Sequence, residues 1–284
     1  MSIVVTAATG KLGRLALQAL LDQGVPAAEI VAGGRNLEPL QAFADQGVQL
    51  KVIDYDRPET LAEAFQGAGK LLFISASEPG RRIPQHKNVI DAAKAAQVGL
   101  IAYTSIANAD RTTMKLASDH LATEATLKAS GLPVVLLRHG WYLEVYTEQI
   151  PGYLERGTIA GAAGSGRISG ASRADLAQAD IAALLTAKGG EVYELGGDES
   201  FTLAELAAEI TRQSGQEIKY QNLPTEKYAE LLAGIGLPAP LAQVLADCDR
   251  GIRDGELQVD TGDLSTLLNR PTTSLEDAVK AALA

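Results

Sequence analysis

Cysteine is almost missing from this chain: Cys248 is the single one in 284 residues. A disulfide within the chain is excluded, and so are a thiolate zinc cluster and an iron–sulfur centre, each of which needs several thiolates. Free cysteine usually behaves as a small buried apolar residue, and Cys248 reads as an inert helix position. Positive charge is scarce too. There are 25 Lys and Arg against 35 Asp and Glu, a net charge of −10, with no basic run longer than Arg81-Arg82. That balance argues against a nucleic-acid-binding surface. No apolar stretch approaches the ~20 residues needed to span a bilayer. The N-terminus runs straight into a strand, with neither a basic leader nor a cleavage site. The expectation is a cytoplasmic protein with no nucleic-acid or membrane partner. A last absence concerns chemistry: none of the eight tyrosines has a lysine four positions on, so no helical Tyr-x-x-x-Lys proton-donating pair exists.

What is present begins at the N-terminus. Apolar residues at 3–5 read as a buried strand, the turn Thr6-Ala7-Ala8-Thr9-Gly10-Lys11-Leu12-Gly13 follows, and Leu12, Leu15, Ala16, Ala19 and Leu20 then recur at helical spacing. Strand, glycine turn and helix together form the context of a dinucleotide-binding fingerprint. The helix start offers unpaired N–H groups and the positive end of a dipole to an anion. Gly10 lets the backbone approach a pyrophosphate, and Gly13 lets helix and strand pack closely. Ala7 stands where the usual pattern has its first glycine, and its Cβ is expected to crowd that turn.

At 46% hydrophobic residues the chain can build a sizeable core. Candidate strands lie at 2–6, 29–33, 48–53, 69–75, 100–104 and 133–138, with helical patterns near 11–23, 36–46, 58–66, 81–97 and 112–130 between them. This alternation predicts an α/β fold, a doubly wound parallel sheet. After residue 140 the rhythm changes: a helix near 144–156, a glycine-rich loop Gly161–Gly166, a helix near 174–187, then a strand around 190–196 that rejoins the main sheet. Helices near 203–214, 225–235, 238–250 and 274–283 and a short strand 217–221 complete the chain. The expected division is a nucleotide-binding domain over 1–140 and a smaller α/β substrate lobe over most of 141–284. Ligands bind beyond strand C-termini where the sheet order reverses, so the substrate belongs in the crevice there.

The strand ends supply the candidate residues. Arg35, 22 residues after Gly13, stands where NAD enzymes carry an acid. A guanidinium fork suits the 2′-phosphate of NADP, and Lys11 adds a second positive charge. Asp54 could accept the adenine amino group with Tyr55 flanking the ring; an Asx turn ahead of Pro58 explains Asp54 equally well. Ser75-Ala76-Ser77 are small enough for backbone to run beside a ribose. His120 and Glu124, four apart on a helix, share one face and could form a histidine–carboxylate pair. His120 is the candidate catalytic residue, against a plain surface pair. His86 reads as a solvated or interface histidine. After the sixth strand comes His139-Gly140-Trp141-Tyr142-Leu143-Glu144, with the only tryptophan. Its aromatic residues could wall a flat ring or pack between lobes.

These runs together resemble the NmrA-like branch of the atypical short-chain dehydrogenases, and within it the bacterial NAD(P)H:quinone oxidoreductase 2 type. The resemblance is carried by Thr6–Gly13, Lys70-Leu-Leu-Phe-Ile-Ser-Ala-Ser-Glu78, Pro84–Ala96, Ile101-Ala-Tyr-Thr-Ser105, Gly140-Trp-Tyr142 and Val192-Tyr-Glu-Leu195, and it covers essentially the whole chain. It implies a Rossmann domain binding NADPH, a small C-terminal lobe and no flavin. The 6–13 turn, Arg35, Ser75–Ser77 and 139–144 carry over as cofactor contacts. Gly170 to Arg173 carry over as a nearby wall, with Arg173, Trp141 and Tyr142 on the substrate side. The oligomeric state stays open, a homodimer being one option.

The missing Tyr-Lys pair bears on the reaction. Reducing a ketone makes an alkoxide that needs a positioned acid. Reducing a quinone makes a phenolate-like oxygen with a conjugate-acid pKa of roughly 10, which water or His120 can protonate. The expected activity is therefore direct two-electron hydride transfer from NADPH to a quinone. The same loss suits a dinucleotide-sensing regulator without turnover. Sugar-nucleotide or flavonoid modification fits less well, because those relatives keep a catalytic Tyr or Lys.

Overall fold

A computed structural model describes residues 1–78 and 80–284. Nine strands are present among them: β1 (Ser2–Val5), β2 (Ile30–Gly34), β3 (Gln49–Val52), β4 (Ala68–Phe73), β5 (Leu100–Ile106), β6 (Val134–His139), β7 (Thr158–Gly161), β8 (Val192–Leu195) and β9 (Lys219–Asn222). The helices of the first half are α1 (Lys11–Asp22), α2 (Gln41–Ala44), α3 (Pro58–Phe65), α4 (Arg82–Ala95) and α5 (Lys115–Ala129). Those of the second are α6 (Glu144–Thr147), α7 (Ile150–Arg156), α8 (Arg173–Thr186), α9 (Leu203–Ser214), α10 (Thr225–Gly234), α11 (Ala239–Arg253), α12 (Asp263–Leu268) and α13 (Leu275–Leu283).

Seven strands form one sheet in the order β3-β2-β1-β4-β5-β6-β8, and β7 and β9 form a second. The pairs β1–β2, β1–β4, β2–β3 and β4–β5 are parallel, with Val4 opposite Val31 and Leu71. Chain order reverses between β1 and β4, the topological switch point of a Rossmann fold. Helices cover both faces. Phe65, Val89, Ile90 and Leu127 from α3, α4 and α5 bury one face of the sheet with Leu71, Phe73 and Tyr103. On the other, α1 packs on α8, and Lys70 Nζ donates to the last α8 carbonyls, Leu184 O at 2.8 Å and Leu185 O at 2.9 Å, neutralising the negative helix end. The chain is thus an α/β protein with a doubly wound sheet.

Two compact units divide it. The first is Met1–Ile106, Asp119–Arg138 and Arg173–Tyr193; the second is Ala107–Ser118, His139–Ser172 and Glu194–Ala284. In the second, Thr202 and Glu205 close the capping box that opens α9.

Several elements differ from the sequence reading. The helix expected at 36–46 is a 3-10 turn over Glu38–Leu40 followed by the single turn α2. The helix expected at 144–156 is two pieces, because Pro151 has no N–H to continue a helix and instead sits in the first turn of a new one. β7 lies within what reads as loop, between Gly157 in the left-handed region (φ 66) and the glycine-rich stretch. The short helix α12 was not expected. No helix among the described residues is long and apolar enough to cross a membrane.

Candidate functional site

The glycine turn after β1 builds one wall of a cleft. Ala7 takes a left-handed backbone, φ 47, so this alanine adopts the conformation a glycine would hold, at the order of 1–2 kcal/mol of strain. Its carbonyl accepts from Gly10 N at 3.1 Å, and Ala8 N donates to Gly33 O at 2.8 Å. A Cβ on Gly13 would stand 2.6 Å from Ala7 O and Ala8 Cα, so α1 approaches the turn as only glycine allows. Gly10 is the N-cap of α1, with no side-chain cap and no acid in the first turn. A helix start without a side-chain cap is suited to an anion.

The cleft, about 260 Å³, lies beyond the C-terminal ends of β1 to β4. It brings together Ala7, Thr9 and Gly10, then Arg35, then Asp54 and Tyr55, and finally Ser75, Ala76 and Ser77. Thr6, Ala8, Leu12 and Gly13 are buried beneath the turn, and Lys11 is exposed. The sequence reading missed four lining residues: Gly34, Ile53, Glu78 and Gln85. Glu78 directly follows the 75–77 run and was within reach of it. Gln85 carries no local signal, because α4 delivers it from elsewhere.

The far wall is fixed by buried polar groups. Ser75 N donates to Thr104 Oγ1 at 2.9 Å, and Ala76 N donates to His86 Nε2 at 2.9 Å. An accepting Nε2 puts the ring proton on Nδ1, which faces Thr123 Oγ1 at 2.9 Å. Burial, then the nearby Arg82 charge, pushes His86 down to about 3 and keeps it neutral. His86 is 1% exposed, which corrects the reading of it as solvated: it is a positioning residue for the 75–77 backbone. The Tyr55 hydroxyl is drawn inward, 2.5 Å from Thr6 Oγ1 and 2.7 Å from Ile74 O, with its ring edge-on to Phe73. Asp54 Oδ1 accepts from Asp56 N at 3.0 Å, the Asx turn.

His120 does not take Glu124 as its partner. Its Nδ1 lies 2.9 Å from the buried Tyr103 hydroxyl. The Glu124 carboxylate goes instead to Arg138, at 3.0 and 2.8 Å, and to Ser105 Oγ at 2.6 Å. A guanidinium fork outcompetes an imidazole for a carboxylate because it offers two parallel charged donors. Helical spacing showed which residues share a face and could not show this competitor from β6.

In the second unit the 139–144 run and Gly170 meet. Leu143 N donates to Ala171 O at 3.0 Å and Ala171 N to Trp141 O at 2.9 Å. A Cβ on Gly170 would meet Leu143 Cδ2 at 2.9 Å, and one on Gly140 would meet Ser169 O at 2.9 Å. His139 Nδ1 lies 3.3 Å from the Tyr142 hydroxyl. Trp141 Nε1 is buried without a partner among the described residues, an unusual condition for an indole donor. Glu144 opens α6, and Arg173 opens α8 in the first unit.

The glycine-rich loop turns out to be preceded by a strand, β7, and its donors are already used. Ala162 N donates to Asp249 Oδ2 at 2.6 Å, Ala163 N to the Tyr220 hydroxyl at 3.0 Å, and Gly164 N to Asn222 Oδ1 at 2.9 Å. A Cβ on Gly166 would fall 2.1 Å from Ile252 O, so the glycines serve close packing on α11. A second phosphate site is therefore not built here. Cys248 is buried on the same helix, its thiol pushed up to about 12, mainly by burial; it is inert, as expected.

Burial raises Asp249 to about 6 from 3.8 against the opposing hydrogen bond from Ala162 N. The fold therefore favours the protonated carboxyl, and its contribution to stability is lost as pH rises from about 4 through about 6. Asp249→Asn is expected to remove that loss, on the order of 3 kcal/mol. Chemical denaturation of both proteins between pH 4 and 7.5 checks it; parallel pH profiles would refute it.

Comparison with known proteins agrees with this geometry. Residues 7–187 match the NAD(P)H-binding family. Quinone oxidoreductase 2 of Escherichia coli is 48% identical over 279 residues, 98% of this chain and 97% of its own length. The crystal structure of an NADPH-dependent quinone oxidoreductase from Escherichia coli complexed with NADPH superposes with a TM-score of 0.96 at 47% identity, covering 99% of this chain and 100% of that one. The Citrobacter sp. triphenylmethane reductase complexed with NADP(H) gives 0.94 at 37% identity, again over 99% and 100%. With its switch-point cleft, uncapped α1 and these likenesses, the chain belongs to the NAD(P)H-binding family, in its NmrA-like branch.

Proposed function

We propose that this protein is a cytoplasmic NADPH-dependent quinone oxidoreductase. The observation that carries the reading is the cleft beyond β1–β4. It combines a helix start with no side-chain cap, suited to a pyrophosphate, with a guanidinium at the end of β2, and relatives of 48% and 47% identity bear the names of quinone reductases. The residues fit the cofactor: the uncapped α1 turn would hold the pyrophosphate, Arg35 the 2′-phosphate, and the 75–77 backbone, fixed by Thr104 and His86, the ribose. By the family resemblance, the 139–144 segment and Gly170 would be further cofactor contacts, and Trp141, Tyr142 and Arg173 substrate-side residues.

When bound, NADPH supplies a hydride and so two electrons in one step, without flavin. The chain's contribution is orientation. The reduced quinone oxygen is a weak base, so the proton comes from water. His120, 5% exposed and tied to Tyr103, serves the core. The test is anaerobic turnover of purified protein with NADPH and 1,4-benzoquinone, followed by absorbance and electron paramagnetic resonance. The expected result is colourless protein, one quinol per NADPH and no radical signal. Dependence on added flavin overturns the direct mechanism. NADPH binding without oxidation by any quinone selects the sensing regulator instead.

A further inference from the structure

A cluster of charged groups at the mouth of the cleft takes no part in the mechanism above. Glu78 Oε1 lies 2.8 Å from Arg35 Nη1, the guanidinium assigned to the 2′-phosphate. Its Oε2 receives Arg81 Nη1 at 3.3 Å and Gln85 Nε2 at 3.4 Å. Arg81 and Gln85 are themselves anchored on Asp56, at 2.9 and 3.0 Å. The orientation of the Gln85 amide is dictated by chemistry: its nitrogen faces two carboxylates, where its oxygen would be repelled. Glu78 is therefore not a loose surface carboxylate. Three donors hold it, and its side chain is 33% exposed against 67% for Arg35.

A carboxylate and a phosphate monoester present the same thing to a guanidinium, a pair of anionic oxygens. They cannot share one edge of Arg35 without like-charge repulsion. The ribose 2′-hydroxyl of NADH is different, because it is a neutral donor that a carboxylate can accept. We infer that Glu78 sets cofactor discrimination in this protein, by competing with the 2′-phosphate of NADPH for Arg35. NADPH binds by exchanging Glu78 for phosphate on the guanidinium, whereas NADH leaves the Arg35–Glu78 pair intact. The wild-type preference for NADPH is thereby smaller than Arg35 alone would give. The inference rests on the reading of Arg35 as the phosphate ligand.

If Glu78 holds Arg35 for ~80–95% of the time, apparent affinity for a phosphate-bearing ligand is reduced about 5- to 20-fold. Calorimetric titration of Glu78→Gln and Glu78→Ala with NADPH, NADH, 2′,5′-ADP and 5′-AMP tests this without any turnover. Both variants should bind NADPH and 2′,5′-ADP about 5- to 20-fold more tightly and change less than about twofold toward NADH and 5′-AMP. Arg35→Ala combined with Glu78→Gln should show no gain. Unchanged or weakened NADPH binding in both variants overturns the inference, and so does a gain confined to Glu78→Gln, which would be a new amide–phosphate bond. Arg35→Ala alone separates the two levels. If it weakens NADPH while the Glu78 variants change nothing, only the competition falls; if it leaves NADPH affinity intact, the Arg35 reading falls with it.

Discussion

Replacing Glu124 by alanine is expected to cost about 3–5 kcal/mol of folding stability. Glu124 and Arg138 side chains are 1% and 5% exposed, and the guanidinium meets the carboxylate edge-on with Nε at 3.0 Å and Nη2 at 2.8 Å. Ser105 Oγ adds a third bond at 2.6 Å. A pair so placed contributes little net stabilisation over an apolar pair of the same shape, because both ions lose water. Removing one partner is another matter, since it takes a carboxylate from a buried guanidinium and an acceptor from a buried hydroxyl. The three groups come from α5, β5 and β6, so the loss would loosen the helix from two strands at once. For a chain of this length the change corresponds to a fall in melting temperature of roughly 5–10 °C. Thermal and urea unfolding would measure it, and a loss below about 1 kcal/mol would contradict the account. Glu124→Gln, which keeps one acceptor, should lose less.

The same triad shows where reading a sequence stops. The β1 strand, its glycine turn and α1 were legible because apolar run, glycines and helical period are all local, and the βαβ alternation then placed the ends of β2, β3 and β4 around one cleft. Spacing correctly put His120 and Glu124 on one face of α5. It could not show that β6 delivers Arg138 to that face, 14 residues along. Nor does anything local mark His86 as buried, because its partners are a backbone N–H from the 75–77 run and a threonine on α5. Side chains whose meaning depends on what another element brings are the illegible class; Glu78 and Gln85, both lining the cleft, belong to it. β7 was missed for a different reason. Four residues ending in glycine, with glycines on both sides, have too little pattern to distinguish a strand from a loop, and only pairing with β9 makes one. The missing Tyr-x-x-x-Lys pair was legible, being local. The structure adds that Ser105 on β5 donates to Glu124 and is committed to the core.

Arg35→Ala is expected to abolish the preference for NADPH over NADH. Arg35 ends the cleft on the β2 side and is the guanidinium that lines it at that strand end. Its side chain is 67% exposed, so its removal strands no buried group and the fold should survive. The effect should then appear in binding. A hydrogen bond to a charged group contributes roughly 1.5–3 kcal/mol, or about 10- to 150-fold in affinity. Competition from Glu78 at 2.8 Å draws the wild-type value toward the lower end of that range. NADH has no phosphate for Arg35 to hold, so its affinity should change little, and the two cofactors should become nearly equal ligands. High salt should weaken wild-type NADPH binding more than it weakens the variant, because a partly exposed charge pair is screened. Fluorescence or calorimetric titration of both cofactors with both proteins, at low and high salt, decides the matter. Equal affinities of wild-type protein for NADPH and NADH would remove the assigned role from Arg35. An unchanged NADPH preference in Arg35→Ala would transfer that role to another cation, Lys11 at the first turn of α1 being the next to replace.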